Sequence, residues 1–243
     1  MPDQQFANPR LAEIYDELDS DRGDLLLYME LIEKCNAKSV LDIGCGTGSL
    51  LSLLAGRGYN LTGVDPANAS LDIAKRKHGA ESISWIHGDS SLAPKESADV
   101  AVMTGNVAQV FIEDEAWFEN LSNIHRAVKS DGRLIFESRD PNKRAWEKWN
   151  RKSTISETDI PGIGTVVSWT EVTEVSLPLV SFTSTYRFKR NGDVLKSDST
   201  LCFRSKEDIE RSLIETGFSS LDILDAPDRP GKEFVFVAKK EKD

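Results

Sequence analysis

The chain of 243 residues carries 30 lysines and arginines against 40 aspartates and glutamates, a formal net charge of −10 at pH 7. This acidic balance argues against a protein that follows a nucleic-acid backbone, because such binding depends on clustered Lys and Arg. The length suits one α/β domain with a modest insertion. No apolar run approaches the roughly 20 residues that cross a bilayer, so we expect no membrane partner.

The cysteines predict a reducing environment. Cys35, Cys45 and Cys202 are widely spaced and form no Cys-x-x-Cys pair. Reduced thiols in a cytoplasmic protein fit this pattern better than a disulfide framework or a zinc site, and we predict no metal site. The polar, proline-containing segment Met1–Arg10 is unlike a signal peptide, so we expect a cytoplasmic location.

Helices and strands alternate over the first 140 residues. Apolar residues at helical spacing predict two helices within residues 10–35, separated at Asp21–Gly23. The alternation that follows indicates a parallel, doubly wound sheet with right-handed crossovers. The predicted strands are Val40–Ile43, Tyr59–Val64, Ile83–His87, Asp99–Met103 and Arg133–Glu137, with helices at Ser70–Lys77 and Glu113–Val128.

This alternation ends after Pro141. A short helix is predicted at Lys143–Asn150, and residues 151–204 then have the pattern of antiparallel strands, with Asn191 and Gly192 as a hairpin turn. A helix at Ser205–Thr216 precedes two last strands. The predicted strands of this part are Gly164–Val175, Val180–Lys189, Val194–Phe203, Ser219–Leu224 and Glu233–Ala238.

The most specific motif is VLDIGCGTG at Val40–Gly48. A buried strand with a carboxylate near its end, Asp42, followed by a glycine turn and a helix is the start of a nucleotide-binding unit. Ser49 stands where a dinucleotide fingerprint has its third glycine, and no lysine lies nearby to bind phosphates. These differences favour a ligand with an ammonium group and no phosphate, such as S-adenosyl-L-methionine.

The run resembles motif I of the class I S-adenosylmethionine-dependent methyltransferases. The resemblance implies an α/β fold with their seven-stranded, doubly wound Rossmann-like sheet, here with an antiparallel β insertion after strand five. It also implies S-adenosyl-L-methionine as cofactor and methyl transfer to a nitrogen or oxygen of a small-molecule acceptor. We expect a single domain over residues 1–243, with an N-terminal helical lid (1–35), a cofactor-binding core (36–140), the insertion (151–204) and a return to the core sheet (205–243).

Ligands of open α/β sheets bind beyond the carboxyl ends of the strands, so residues there are candidates for cofactor binding. Asp65 follows the glycine turn at close to the roughly 20-residue interval at which a carboxylate meets ribose hydroxyls. The resemblance implies that Asp89 binds the adenine amine. It also implies that an aromatic and a basic residue close over the cofactor, as in small-molecule N-methyltransferases. The candidates are Tyr15, Arg22, Asp42, Gly44, Cys45 (as a packing residue), Gly46, Gly48, Asp65, Pro66, Asp89, Ser90, Thr104 and Gly105.

The acceptor is expected beyond strands four and five. Methyl transfer from a sulfonium is an in-line displacement that depends mainly on positioning, and a general base is needed only if the acceptor must lose a proton. Asn106 and Glu137 are the candidate catalytic residues, with Glu137 as the strand-end carboxylate nominated for a base. Gln109, Arg139 and Trp146 are candidate substrate contacts.

Three alternatives stay open from the sequence. An NAD-dependent oxidoreductase is disfavoured by Ser49. Aminopropyl transfer needs an acidic pair after strand four, where this chain has Thr104, Gly105 and Asn106. A cofactor-binding but catalytically silent regulatory subunit is compatible with every motif. We expect a monomer or a homodimer.

Overall fold

The computed structural model describes residues 2–241, so the outermost limits of the expected domain, at residues 1 and 243, and Met1 of the polar start lie outside the described residues. The strands are β1 (Ser39–Ile43), β2 (Asn60–Asp65), β3 (Ile83–His87), β4 (Ala98–Met103), β5 (Val128–Arg139), β6 (Ser156–Ile160), β7 (Gly164–Ser176), β8 (Leu179–Phe188), β9 (Val194–Cys202), β10 (Phe218–Asp225) and β11 (Glu233–Lys240). The helices are α1 (Gln4–Ala7), α2 (Pro9–Leu18), α3 (Asp24–Lys34), α4 (Ser49–Leu54), α5 (Asn68–Ala74), α6 (Asp114–Ala127), α7 (Arg151–Thr154) and α8 (Lys206–Glu215).

The larger sheet has seven strands in the order β10-β11-β5-β4-β1-β2-β3. Strands β1 to β5 are parallel to one another, and β11 is antiparallel to both β5 and β10. The prediction of a doubly wound, Rossmann-like sheet is confirmed. The strand order reverses between β1 and β4, which is the point where ligands of such sheets bind. The carboxyl ends of β1 to β5 therefore meet at one edge.

Helices cover both faces of this sheet, as the near-continuous apolar runs of its central strands require. All five residues of β1 are buried. On one face Trp117 of α6 packs against Phe136 of β5, with ring centroids 5.9 Å apart. On the other face Ile32 of α3 and Leu51 of α4 lie in one cluster with Ile135 of β5. Full burial of each such side chain contributes roughly 1.5–3 kcal/mol, so this packing fixes where the strand ends lie.

The smaller sheet is the antiparallel insertion predicted after strand five, with the order β6-β7-β8-β9. It packs against the N-terminal helices, because Leu11 and Ile14 of α2 share a cluster with Tyr186 and Phe188 of β8. The same helices also contact the large sheet's layer, where Ser70 Oγ of α5 donates to the carbonyl of residue 6 at 3.0 Å. The N-terminal helices thus bridge the insertion and α5.

Two elements differ from the prediction. Strand β6 is not among the predicted strands because its sequence, SETDI, is mostly polar. The predicted helix at Lys143–Asn150 is wrong: 3-10 turns occupy Pro141–Lys143 and Ala145–Lys148, and α7 begins only at Arg151. Arg144 between the two turns has a left-handed φ of 48°, a conformation that interrupts a helix.

Strand β5 begins directly after α6, earlier than predicted. Asp131, with φ of 65°, lies within the strand. The pairing of β4 with β5 shifts register between Ala98 and Val100, which accommodates this irregularity. Within residues 2–241, no helix is both long enough and apolar enough to span a membrane.

Candidate active site

The glycine turn after β1 is shaped by its neighbours. Gly48 has φ of 74°, and a Cβ there would lie 2.6 Å from Cη2 of Trp85, which is closer than atoms can approach. Gly44 is confined in the same way, because its Cβ would lie 2.6 Å from Val107. At Gly46, with φ of 53°, an added Cβ meets no atom within 4 Å. The turn is therefore packed on its inner side and open at Gly46.

Asp65 ties the end of β2 to this turn. Its Oδ2 accepts the backbone N–H of Gly46 at 2.7 Å, and its Oδ1 accepts that of Ala67 at 2.7 Å. Burial raises the pKa of Asp65, and these two hydrogen bonds oppose the rise. The adjacent Pro66 carbonyl oxygen lies 3.1 Å from Nε2 of His87, at the end of β3. The structure thus brings Asp65, Pro66 and Gly46 together.

Asp42 is a buried carboxyl group with an unsatisfied oxygen. It is 1% exposed, and its Oδ1 has no hydrogen-bond partner. Burial, and then the charge of Asp65, raise its pKa to about 8, while Arg22 acts in the opposite direction. A buried carboxyl group without a donor is costly, so a positively charged ligand group would stabilise it.

Tyr15 and Arg22 lie close enough for their charges to interact. Burial, and then Asp19, raise the pKa of Tyr15 to about 12, while Arg22 lowers it. The guanidinium of Arg22 donates to both carboxylate oxygens of Asp24, each at 3.1 Å. Arg22 is therefore held in place by a bidentate ion pair beside Tyr15.

The residues after β3 form a tight turn. Oδ1 of Asp89 accepts from the backbone N–H of Ser91 at 2.9 Å and from its hydroxyl at 2.5 Å, which together lower the pKa of Asp89. Asp89 is exposed and Ser90 is buried. The exposed carboxylate of Asp89 thus stays ionised at neutral pH.

The chain after β4 turns sharply below the strand ends. Gly105 has φ of 74° and faces open space, so that a Cβ there would touch nothing within 4 Å; Thr104 before it is half-buried. Asn106 has φ of 62° and is buried, and its side-chain Oδ1 has no partner. Gln109 donates to the carbonyl of Cys202 at 3.4 Å, which connects this segment to the insertion.

Glu137 lies opposite Asn106, at the end of β5. Its Oε1 accepts the backbone N–H of Asn106, and its Oε2 is buried without a partner. Burial raises its pKa to about 8, with the Asn106 N–H opposing the rise. The carboxyl group therefore stays mostly protonated at neutral pH and ionises at about pH 8.

Arg139 is fixed as a cation two residues further along the same face of β5. It donates to Oε1 of Gln109 at 2.9 Å, its Nε lies 3.5 Å from Glu233, and its guanidinium carbon lies 5.6 Å from the ring of Trp149. Arg229 donates to the same Glu233 at 2.7 Å. Sequence reasoning missed Glu233 and Arg229, because only the pairing of β11 with β5 places Glu233 opposite Arg139.

Trp146 does not join this group. It is 5% exposed, its ring centroid lies 4.7 Å from that of Phe203, and both belong to the core of the insertion with Val180. Against the expectation of a substrate contact, Trp146 lies in this apolar core; Trp149, which packs against the same core, lies beside Arg139. Cys45 is a buried thiol whose pKa is raised by burial, in keeping with the packing role predicted for it.

The comparisons with known proteins agree with this geometry. Residues 40–132 match the family model described as a methyltransferase domain. A protein of Geobacillus sp. (strain WCH70) named as a methyltransferase is 26% identical over 214 residues, which cover 84% of this chain and 85% of that protein.

Two solved structures share the fold. An S-adenosylmethionine-dependent methyltransferase from Clostridium acetobutylicum has a TM-score of 0.75 at 18% identity, covering 96% of this chain and 98% of that one. An amino pentose methyltransferase of calicheamicin biosynthesis from Micromonospora echinaspora has a TM-score of 0.71 at 15% identity, covering 92% and 96%.

The residues of the strand edge fit S-adenosyl-L-methionine as a bound cofactor. The unpartnered Oδ1 of Asp42 suits an ammonium group, and the open sides of Gly46 and Gly105 leave room for a ligand against the backbone. Residues 40–132 thus match a methyltransferase domain on a seven-stranded fold, and the protein is an S-adenosylmethionine-dependent methyltransferase with S-adenosyl-L-methionine as its cofactor.

Proposed function

We propose that this methyltransferase methylates a nitrogen atom of a small-molecule amine. The observation that carries the proposal is the buried carboxyl group of Glu137, which keeps one oxygen without a partner at the edge where the strands end. An amine that arrives protonated must lose a proton before its lone pair can attack. Its raised pKa of about 8 makes the ionised form of Glu137 a stronger base than an ordinary carboxylate, and that form, which prevails above about pH 8, takes up the proton.

The cofactor end of the site is proposed to lie over β1, β2 and β3. S-adenosylmethionine, when bound, supplies a methyl group on a positively charged sulfur. Asp42 is proposed to meet its ammonium group, Asp65 its ribose and Asp89, with Ser90, its adenine. Tyr15 and Arg22 are proposed to close over it. The backbone of the turn is proposed to line the remainder, through Gly44, Gly46, Gly48, Pro66, Thr104 and Gly105.

The acceptor end is proposed to lie over β4 and β5. Asn106 is proposed to orient the acceptor, since its buried side-chain oxygen is free to accept a hydrogen bond. Gln109 and Arg139 hold each other by a hydrogen bond of 2.9 Å and form a polar wall of this end. Glu137 is proposed to receive the proton that the acceptor nitrogen loses.

Two further observations support a small amine as substrate in the cytoplasm. The Micromonospora structure of the same fold is named an amino pentose methyltransferase. The three cysteines are free thiols, which is typical of a reducing compartment. We propose that the protein acts there as a monomer or homodimer.

The test is a product assay with matched acceptors. The purified protein is incubated with S-adenosylmethionine and a panel of amines and alcohols that share the same carbon frames, and the products are identified by mass spectrometry. Methylated amines, and S-adenosylhomocysteine in equal amount, are expected. Methylation of the alcohols alone would refute a nitrogen acceptor. Cofactor binding without any turnover would favour the silent regulatory subunit.

A further inference from the structure

Asp16 of α2 makes three contacts that the proposed site does not use. Its Oδ1 accepts the hydroxyl of Thr47 at 2.6 Å, and its Oδ2 forms an ion pair of 2.6 Å with Lys77, just beyond α5. Ser49 Oγ lies 3.4 Å from the same Oδ1 and accepts from Lys77 at 3.2 Å. A single carboxylate thus connects three elements that are distant in the sequence.

Through Thr47, the contacts of Asp16 reach the glycine turn after β1. Thr47 lies in the glycine turn between Gly46 and Gly48 and is only 4% exposed. Asp16 follows Tyr15 in α2, and Tyr15 is one of the residues expected to close over the cofactor. The hydrogen bond from Thr47 to Asp16 therefore joins the cofactor turn directly to the helix that covers it.

The ion pair of Asp16 with Lys77 is more buried than the neighbouring ion pair of α2. The side chains of Asp16 and Lys77 are 34% and 23% exposed, so water screens their charges only in part. A second ion pair, Glu13 with Arg76 at 2.6 Å, connects α2 to the same region but is 48% and 60% exposed and does not reach the turn. Such exposed pairs contribute little. Two ion pairs thus connect α2 to the end of α5. The pair of Asp16 with Lys77 also reaches the glycine turn, and the pair of Glu13 with Arg76 does not.

We infer that Asp16 is a positioning residue for cofactor binding: through Thr47 and Lys77 it holds α2, and with it Tyr15, in place over the glycine turn. The carboxylate contacts both donors at once and so holds the helix against the turn. With this connection removed, the turn and α2 separate more easily, and a bound cofactor dissociates faster. This inference rests on the role of the glycine turn in cofactor binding.

The test is calorimetric titration of S-adenosylmethionine and of S-adenosylhomocysteine into purified variants. Asp16→Ala and Thr47→Val are each expected to weaken the affinity about tenfold, as for the loss of one hydrogen bond to a charged group. Thr47→Ser keeps the hydroxyl and is expected to restore wild-type affinity. Glu13→Gln, the matched control on α2, is expected to bind as the wild type does.

Thermal unfolding and the pattern of affinities decide the inference. Thermal unfolding of each variant shows whether the change is one of binding or of folding, because a purely structural role lowers Tm and leaves the affinity of the folded protein unchanged. Unchanged affinity in Asp16→Ala and Thr47→Val would overturn the inference. Equal losses in Thr47→Val and Thr47→Ser would overturn it too. If the wild-type protein itself does not bind S-adenosylmethionine, the cofactor site fails instead, which is a distinguishable result.

Discussion

Glu137 accepts the backbone N–H of Asn106 through one carboxylate oxygen, while its other oxygen is buried without a hydrogen-bond partner. The two residues are 31 positions apart in the sequence and meet because β4 and β5 are parallel neighbours. The first oxygen orients the carboxyl group against the loop after β4. The second oxygen is free to accept a hydrogen bond. In the proposed reaction, the ammonium group of the methyl acceptor donates that bond.

Replacing Glu137 by Gln removes the proton acceptor while keeping the shape of the side chain. We expect kcat to fall by about 10²–10⁴-fold, the usual contribution of a general base, with the affinity for S-adenosylmethionine close to that of the wild type. Steady-state kinetics and calorimetry measure the two quantities. Tyr28→Phe is the control, since Tyr28 lines the same cleft as Glu137 and its hydroxyl also lacks a partner. Equal kcat in wild type and Glu137→Gln would exclude a base at this position.

The same substitution changes how stability depends on pH. Burial raises the pKa of Glu137 from 4.5 to about 8, so the unfolded chain loses this proton at a pH where the folded protein still holds it. The free energy of unfolding therefore falls as the pH rises from about 4.5 to about 8. Glutamine does not titrate, so the free energy of unfolding of Glu137→Gln does not fall in this way. Its Tm is therefore expected to exceed that of the wild type at pH 8 and to equal it below pH 4.5. Thermal unfolding followed by circular dichroism measures both, and a Tm difference independent of pH would contradict the raised pKa.

Asp65 is expected to be required for the cofactor. Its two oxygens hold the N–H groups of Gly46 and Ala67, so Asp65→Ala loses both the carboxylate and the anchor of the turn. We expect S-adenosylmethionine to bind at least about tenfold more weakly in titration calorimetry. Asp72→Ala, at an exposed position of the following helix, is the control and is expected to bind normally. Full affinity in Asp65→Ala would remove Asp65 from the cofactor site.

Two glycines of the same turn are expected to respond differently to alanine. At Gly48 the new Cβ would lie 2.6 Å from Trp85, so Gly48→Ala is expected to lower Tm strongly. At Gly46 it meets no protein atom, and the cost to stability is the left-handed conformation alone, roughly 1–2 kcal/mol. Gly46→Ala places its methyl group in the space assigned to the cofactor, so the loss of affinity is expected to exceed the loss of stability. Thermal unfolding and calorimetry on both variants distinguish the two effects; similar behaviour in both would contradict this assignment.

Some of the candidate site follows from local sequence. The spacing of the glycines after Val40–Ile43 predicts a turn at the end of a buried strand, and the structure has it there. Asp65 and Asp89 were expected at the ends of the next two strands, and that is where they lie. Strand periodicity places such residues because the carboxyl ends of parallel strands share one edge of the sheet.

The sequence by itself determined the class of fold and the cofactor turn, because both depend on short runs whose periodicity and glycine content act locally. Only the tertiary structure decided which side chains meet. The pairing of Asn106 with Glu137, of Arg139 with Glu233 and of Thr47 with Asp16 joins residues from different elements. Their contact depends on strand order, register and helix packing, which no local pattern in the chain specifies.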